Sequence, residues 1–452
     1  MAEPVVAVVG AGPAGVRAAE TLARAGMKPL LLDEGERPGG QIYRQPPAGA
    51  VRPGIYGSQA RKAAGIHRAV FDLSDRIDYR PRTLVWNLFQ DRLDLLTPDG
   101  YGEERFDRLI LATGAMDRAL PFPGWTLPGV FMLGGAQIAL KAQGVSIGRR
   151  VAFVGAGPLL PLVADQYAKA GADVVAVLDV TPFATKLVGL PGMMAEPGIL
   201  ARGMWYTARN RLAGLKVRYG VATLQAEGAG QVEALAWCDS AGREHRVACD
   251  AIGASFGLRS ETQLADLAGC AFVFDPVGRQ WVPERTAEGR SSVPAVYLAG
   301  DGARIGGADA AELQGRRTAL AVLEDLGRRL EPAEGERLDR RLARQARFRK
   351  ALEKAYPFPA HLLDTVADEE IVCRCEGITA GTLREAAREK DASEINRLKA
   401  FTRIGMGRCQ GRVCEHAAAE LLARGRGVDI ERVGRLRRQP PVKPIPVLGG
   451  TL

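Results

Sequence analysis

The chain has 452 residues, with 61 lysines and arginines against 52 aspartates and glutamates, for a formal net charge of +9. That length is too great for one core and divides into two or three domains. The chain also lacks the roughly eighteen consecutive apolar residues of a membrane-spanning helix. The basic excess sits in Arg328–Lys354 and Arg426–Lys443 with no aromatic interleaving, so nucleic acid is excluded as the partner. Met1–Gly10 has neither the charged n-region nor the cleavage site of a secretory signal, and the seven cysteines are then expected to be reduced, in a cytoplasmic protein.

Val5–Gly15 reads Val-Val-Ala-Val-Val-Gly-Ala-Gly-Pro-Ala-Gly, a buried strand running into Gly10-x-Gly12-x-x-Gly15 with Pro13 and Ala14 inside the motif. A helix to Ala25 and a second strand, Leu30-Leu-Leu-Asp33, follow. The first glycine permits a tight turn, the second lets the backbone approach a pyrophosphate, and the third lets helix and strand pack closely, with the helix N-terminus facing the phosphates. Asp33 closes the second strand where a carboxylate accepts ribose hydroxyls, and Glu34 is a second candidate. Arg108-Leu-Ile-Leu-Ala-Thr-Gly114 and Val296-Tyr-Leu-Ala-Gly-Asp301 are two further strands. In this order the segments resemble the two-dinucleotide-domain flavoproteins, the glutathione- and thioredoxin-reductase-like group. The resemblance implies FAD, with Thr113 and Gly114 turning the chain between domains beside the flavin. It also implies that Gly300 and Asp301 lie at its ribityl or pyrophosphate part.

Between the flavin segments, Arg150–Leu160 opens a second strand–turn–helix unit with Gly155 and Gly157, and a strand ends in Asp179. Leu160 stands where a third glycine would, and Asp179 falls one residue later than Asp33 does after its own glycine. An NAD(P)-like fold is expected, its occupant open between NAD(P), another nucleotide and none. The segment after Gly39-Gly40 has no cysteine and the second unit no C-x-x-C, which excludes thiol–disulfide chemistry. His67, His245, His361 and His416 form no constellation, and no catalytic residue is assigned.

Cys373, Cys375, Cys409 and Cys414 read C-x-C and C-x4-C. Four thiolates hold one zinc or the two irons of a [2Fe–2S] cluster, and the C-x-C pair is tighter than structural zinc sites use. A cluster is therefore expected at these four residues, and Cys238, Cys249 and Cys270 are read as core residues. Cys409 and Cys414 bracket a turn opening a helix over Glu415–Arg424, whose amides and N-terminus suit an anionic cluster. Lys399, Arg403 and Arg408 either offset its charge or are solvated bases. The tail Arg435–Val447 is expected to be extended through its prolines, as a strap on a partner subunit or as a disordered segment.

Arg37-Pro-Gly-Gly-Gln-Ile-Tyr-Arg44 (with Gly40 and Gln41), Ala115–Trp125, Leu133–Gln137 and the cysteine region together resemble the alpha (A) subunits of opine oxidases of the octopine and nopaline type. Hydrogen cyanide synthase and D-hydroxyproline dehydrogenase subunits are similar, and the C-terminal region is similar to bacterioferritin-associated ferredoxin. The resemblance covers nearly the whole chain. It implies an electron-transferring FAD/[2Fe–2S] subunit of a dye-linked opine or amino-acid dehydrogenase. A separate FAD-dependent amino-acid-oxidase-like beta subunit would oxidise the C–N bond, with an external electron acceptor and room for a small third subunit. Similarity to heterotetrameric sarcosine oxidase adds FMN at a subunit interface, and attachment at the inner face of a membrane stays open. The rival reading is a self-sufficient NAD(P)H-dependent FAD/[2Fe–2S] reductase. The expected fold is α/β: two nested Rossmann-like dinucleotide-binding domains plus a small C-terminal helical [2Fe–2S] domain. Its parts are a FAD domain at 1–118 and 253–326, a second nucleotide domain at 119–252, a basic helical linker at 327–366, the cluster domain at 367–427 and an extended tail at 428–452.

Overall fold

The structure, a computed structural model, describes residues 3–47, 49, 54–329 and 331–447. Strand Val6–Val9 is central in a five-stranded parallel sheet, flanked by Leu30–Leu32 and then Asp78–Arg80 on one side, and by Arg108–Leu111 and then Val296–Leu298 on the other. The central strands are apolar throughout because both faces are covered. Helices Pro13–Arg24 and Ala308–Asp325 bury one face. The antiparallel sheet Leu84–Phe89, Arg92–Thr97, Gly100–Arg105 supplies Val85, Leu88, Leu93 and Leu95 to the other.

The second parallel sheet runs Val217–Tyr219, Asp173–Asp179, Arg150–Ala156, Ala251–Phe256, Val130–Met132. Helices Leu133–Ala142 and Leu159–Lys169 pack on one face of it, and a three-stranded antiparallel layer over 223–248 on the other. The chain crosses between the two sheets through Ala115–Asp117 and Leu258–Ser260, which pair antiparallel. Because Ala251–Phe256 belongs to the middle of the second sheet, the return crossing falls after Phe256, past the expected boundary at 252.

Helix Pro332–Ala355 spans both units: Leu338 enters the first core, whereas Phe348, Ala351 and Ala355 pack on Met193. The C-terminal region is a short hairpin, Ile371–Cys373 with Ile378–Thr379, and helices Ala380–Glu389, Ile395–Thr402 and Glu415–Arg426. Its apolar side chains share one core with Trp125 and Phe256 of the second unit.

The tail lies on its own chain, which corrects the expectation of a partner strap or disorder. After the short turn Ile430–Val433, Leu436 is buried, the Val442 amide donates to the Trp86 carbonyl at 2.9 Å, and Lys443 pairs with Glu34. Residues 448–452 of the expected tail, 330 of the expected linker, and 1–2, 48 and 50–53 of the expected FAD domain lie outside the described residues. Among the described residues no helix is long and apolar enough to cross a membrane.

Candidate functional site

The first glycine motif forms a close-packed cradle. A β-carbon on Gly10 would lie 2.4 Å from the Ala112 carbonyl oxygen, and one on Gly15 only 1.8 Å from the Gly10 carbonyl oxygen. Gly40 folds over the motif, its β-carbon position 2.7 Å from the α-carbon of Gly12, and Gly300 lies against Ala14. Gly302 approaches Thr113 so closely that a β-carbon would sit 2.5 Å from its Oγ1. The expected residues Gly10, Gly12, Pro13, Ala14, Gly15, Gly40, Thr113, Gly114, Gly300 and Asp301 are thus brought together. Helix Pro13–Arg24 starts with Pro13, and no side chain among the described residues caps its first amides. Uncapped amides above a floor without side chains fit a pyrophosphate.

The acidic candidates are placed differently. Asp33 Oδ2 accepts from the Ala11 amide and Oδ1 from the Gly35 amide at 2.6 Å, so this carboxylate shapes the turn while keeping lone pairs for a ribose. Burial raises its pKa against those two amides. Glu34 faces outward to Lys443. Gln41 is exposed and accepts from Arg44 at 3.0 Å. Asp301 Oδ1 accepts from the Gly306 and Gly307 amides at 2.7 and 2.9 Å, setting the loop before helix Ala308–Asp325.

Sequence reasoning missed two ionisable groups beside this cradle, the buried Lys141 and the half-buried Asp117. Lys141 donates to the Ile42 carbonyl at 3.1 Å, and burial lowers its pKa to about 8. Asp117 accepts from the Gly134 amide at 2.8 Å, and burial raises its pKa to about 6. Asp117 falls within Ala115–Trp125, but its partner is the start of a helix seventeen positions later. Lys141 carried no local signal.

In the second unit the turn is made but the acid is engaged. Gly155 is required, since a β-carbon there would lie 1.7 Å from the Ser255 carbonyl oxygen, and Gly157 at φ +114° faces open space. Leu160 is buried in the core with Val163 and Tyr167. Asp179 Oδ2 pairs with Lys186, and Oδ1 accepts from the Thr181 amide at 2.9 Å. Lys186 also sits 4.0 Å from the centre of the Tyr219 ring and 5.0 Å from that of Tyr356. Burial raises Asp179 and lowers Lys186, each opposed by the other's charge.

The four expected cysteines converge. Cys373 and Cys414 are buried, Cys409 is half-buried and Cys375 is exposed. Hydrogen bonding with the Cys414 thiol holds Cys373 down to about 6, against burial and helped by the amides of Glu376, Gly405 and Cys375. The same thiol, with the Val413 amide, the Cys375 thiol and the Gly411 amide, holds Cys409 down to about 5. Cys414 is raised by giving its proton to these two, and Cys375 chiefly by burial. Depressed thiol pKa values favour the thiolate, the ligand form. Gly407 lets the loops close, because a β-carbon would meet that of Cys375 at 2.3 Å. Among the described residues no three Cys, His, Asp or Glu groups gather round one ion position. Of the neighbouring bases, Arg403 pairs with Glu376 at 2.9 Å, and Lys399 is lowered by burial and then by Arg438.

The cysteine loop is bolted to the flavin segment. Thr113 Oγ1 donates to the Glu261 carbonyl at 2.6 Å, and the Glu261 carboxylate pairs with Arg412 at 2.8 Å, between Cys409 and Cys414. One residue beyond Cys414, Glu415 is buried between Arg259, at 2.7 Å, and Arg438 of the tail. Burial alone would raise Glu415, but these two arginines hold it at about 2. Arg279 clasps Glu420 at 2.7 Å, and Trp125 Nε1 donates to the Ile371 carbonyl at 2.6 Å.

Residues 4–315 match the family model of pyridine nucleotide-disulphide oxidoreductases, and residues 371–424 match the BFD-like [2Fe-2S] binding domain. The opine oxidase A subunit of Agrobacterium tumefaciens (strain Ach5) is 37% identical over 97% of this chain and 89% of its own length. Hydrogen cyanide synthase subunit HcnB of Pseudomonas aeruginosa is 34% identical over 97% of this chain and 96% of its own. Among solved structures, L-proline dehydrogenase from P. horikoshii superposes with a TM-score of 0.71 at 21% identity, covering 98% of this chain and 78% of that one. These matches indicate FAD-type binding in the first unit and a [2Fe–2S] cluster in the C-terminal domain.

Proposed function

The chain belongs to the pyridine nucleotide-disulphide oxidoreductase family, among the opine oxidase A subunits with a fused BFD-like [2Fe-2S] domain, and on that premise we propose that it is the electron-relaying subunit of an amino-acid or opine dehydrogenase. A flavin exchanges electrons singly or in pairs and a [2Fe–2S] cluster one at a time, so the two together join two-electron chemistry to a one-electron acceptor. In this reading Gly10, Gly12 and Gly15 seat the pyrophosphate under the helix amides, and Asp33 fixes the turn. Thr113, Gly114, Gly300 and Asp301 border the flavin. Cys373, Cys375, Cys409 and Cys414 ligate the irons.

The observation that carries the reading is the short contact chain Thr113–Glu261–Arg412, which ties the flavin turn to the cysteine loop. Relay needs two redox groups held at fixed separation, and this link supplies that rigidity. C–N oxidation belongs to a FAD-dependent amino-acid-oxidase-like partner subunit, which also selects the substrate. FMN between the subunits and a small third subunit complete the proposed complex.

The test is reconstitution. The flavin-loaded single chain should oxidise no opine, proline derivative or glycine, and co-expression with the oxidase-like subunit should bring dye reduction. Cys409→Ser should slow acceptor reduction more than reduction of the substrate-side flavin. Turnover of an amino acid by the single chain at the rate of the complex would refute the proposal. Flavin bleaching by NADH or NADPH at roughly tens per second would instead support the self-sufficient reductase, which the Asp179–Lys186 pair disfavours.

A further inference from the structure

Helix Pro197–Leu212 turns Ile199, Leu200, Tyr206 and Asn210 inward and is pinned there by polar contacts. Asn210 Nδ2 donates to the Pro161 carbonyl at 2.9 Å, Arg209 pairs with Asp165 at 3.0 Å, and Arg202 reaches Asp309 at 3.5 Å. Its outer side is apolar. Met204, Trp205 and Leu212 are 61%, 58% and 84% exposed, and the exposed Pro197, Ala201 and Ala208 continue the same stripe at helical spacing. Phe183, Leu187, Val188 and Met194, just before it in the chain, are exposed as well. Contiguous apolar surface of this kind marks an interaction site on a soluble protein.

The surroundings indicate what covers it. Arg211, on the helix itself, is exposed beside the stripe. Helix Pro332–Ala355 borders it through Arg344, which pairs with Glu196 at 3.6 Å, and presents further exposed arginines. An apolar centre inside a basic rim asks for an apolar patch inside an acidic one. A second copy of this chain would set these arginines against their own kind. The helix is roughly 24 Å long, ample for one side of an interface of about 800 Å². Arg202 and Lys62 both meet Asp309, at the start of the helix that follows the Asp301 loop, so the stripe flanks the flavin cradle.

We propose that the outer face of Pro197–Leu212, with Phe183–Met194, is the docking surface for the amine-oxidising partner subunit, which meets it with apolar side chains inside an acidic rim. This rests on the electron-relay reading for the existence of that partner and adds where it binds. Docking there places the partner at the mouth of the flavin cradle.

The experiment is amide hydrogen exchange on this chain alone and in the co-expressed complex with the FAD-dependent amino-acid-oxidase-like subunit, together with binding of that purified subunit to surface variants. Amides of 197–212 should exchange at least about tenfold more slowly in the complex, and Trp205→Glu or Leu212→Glu should weaken association by about tenfold or more. Both side chains are exposed, so flavin content and thermal midpoint should be unchanged. Arg211→Glu should slow association and flatten its salt dependence. A complex that leaves 197–212 unprotected, or that binds Trp205→Glu as tightly as the native chain, overturns the proposal. A dimer of the isolated chain that Trp205→Glu dissociates assigns the face to a second copy and also overturns it. Protection without dye reduction sinks the relay reading alone, dye reduction without protection sinks the docking face alone, and the absence of any complex sinks both.

Discussion

Val9-Gly-Ala-Gly-Pro-Ala-Gly15 and Val154-Gly-Ala-Gly-Pro-Leu-Leu160 begin two strand–turn–helix units of one chain, and each turn is so tight that its first glycine tolerates no β-carbon. The units part ways at the third position and at the acid. In the first, Gly15 lies against the Gly10 carbonyl, and Asp33 accepts from two backbone amides that shape the turn while keeping lone pairs for a ribose. In the second, Leu160 fills the core and Lys186 neutralises Asp179 between two tyrosine rings. A glycine turn makes a phosphate seat, but reading a ribose also needs a carboxylate with capacity to spare. In the second unit the corresponding carboxylate is held in an ion pair with Lys186, and the unit carries the exposed helix Pro197–Leu212.

The sharpest way to break this contrast is to crowd the first turn. Gly15→Val should cut flavin content by at least about tenfold, read from the absorbance of purified protein, because a β-carbon would lie 1.8 Å from the Gly10 carbonyl oxygen. Leu160→Gly in the second unit should lower stability by about 2–5 kcal/mol through the cavity it leaves, and calorimetry should show no nucleotide binding gained.

Next in size is the joint between the flavin and cluster regions. Glu415→Gln leaves Arg259 and Arg438 buried without their counter-ion, and it should cost about 3–5 kcal/mol in urea unfolding followed through the C-terminal domain. Because the folded pKa of Glu415 is depressed to about 2, its contribution is fully present above the ordinary carboxylate range and fades as pH falls from about 4.5 toward 2. The gap between native and variant proteins should close over that window.

Lys186→Met isolates the buried Asp179 carboxylate and should destabilise the second unit by about 3 kcal/mol, whereas Lys186→Met with Asp179→Asn should recover to within about 1 kcal/mol of the native chain. The loss in the single variant should grow with rising pH, since burial has already raised the Asp179 pKa and ionisation is what the variant penalises. A double variant no better than the single would show that the pair does more than neutralise itself.

The smallest effect belongs to the tail. Lys443→Ala removes a pair with Glu34 in which both side chains are at least a third exposed, and should change the unfolding free energy by less than about 1 kcal/mol. A larger loss would mean that the strap anchors the first sheet through this contact.

Local chain chemistry determined much of this molecule. Gly10, Gly15 and Gly155 are legible because only glycine permits such close backbone approach, and the four cysteines because thiolates at that spacing have few other uses. The two nested folds follow from apolar strands that enter those turns and resume after an insertion. Tertiary structure alone decided what each charged side chain meets. Glu34 turned to Lys443, Asp179 to Lys186, and Arg412 to Glu261, across separations in sequence from seven to 409 residues. The tail was read as free or partner-bound because its prolines specify extension but not a destination. Trp205 and Met204 look like core residues in a helical pattern, yet the fold turned them outward because Ile199, Leu200, Tyr206 and Asn210 took the inner side. Backbone preference acts over a few residues and survives in the sequence, whereas a charge or an apolar stripe takes its meaning from whichever distant surface arrives beside it.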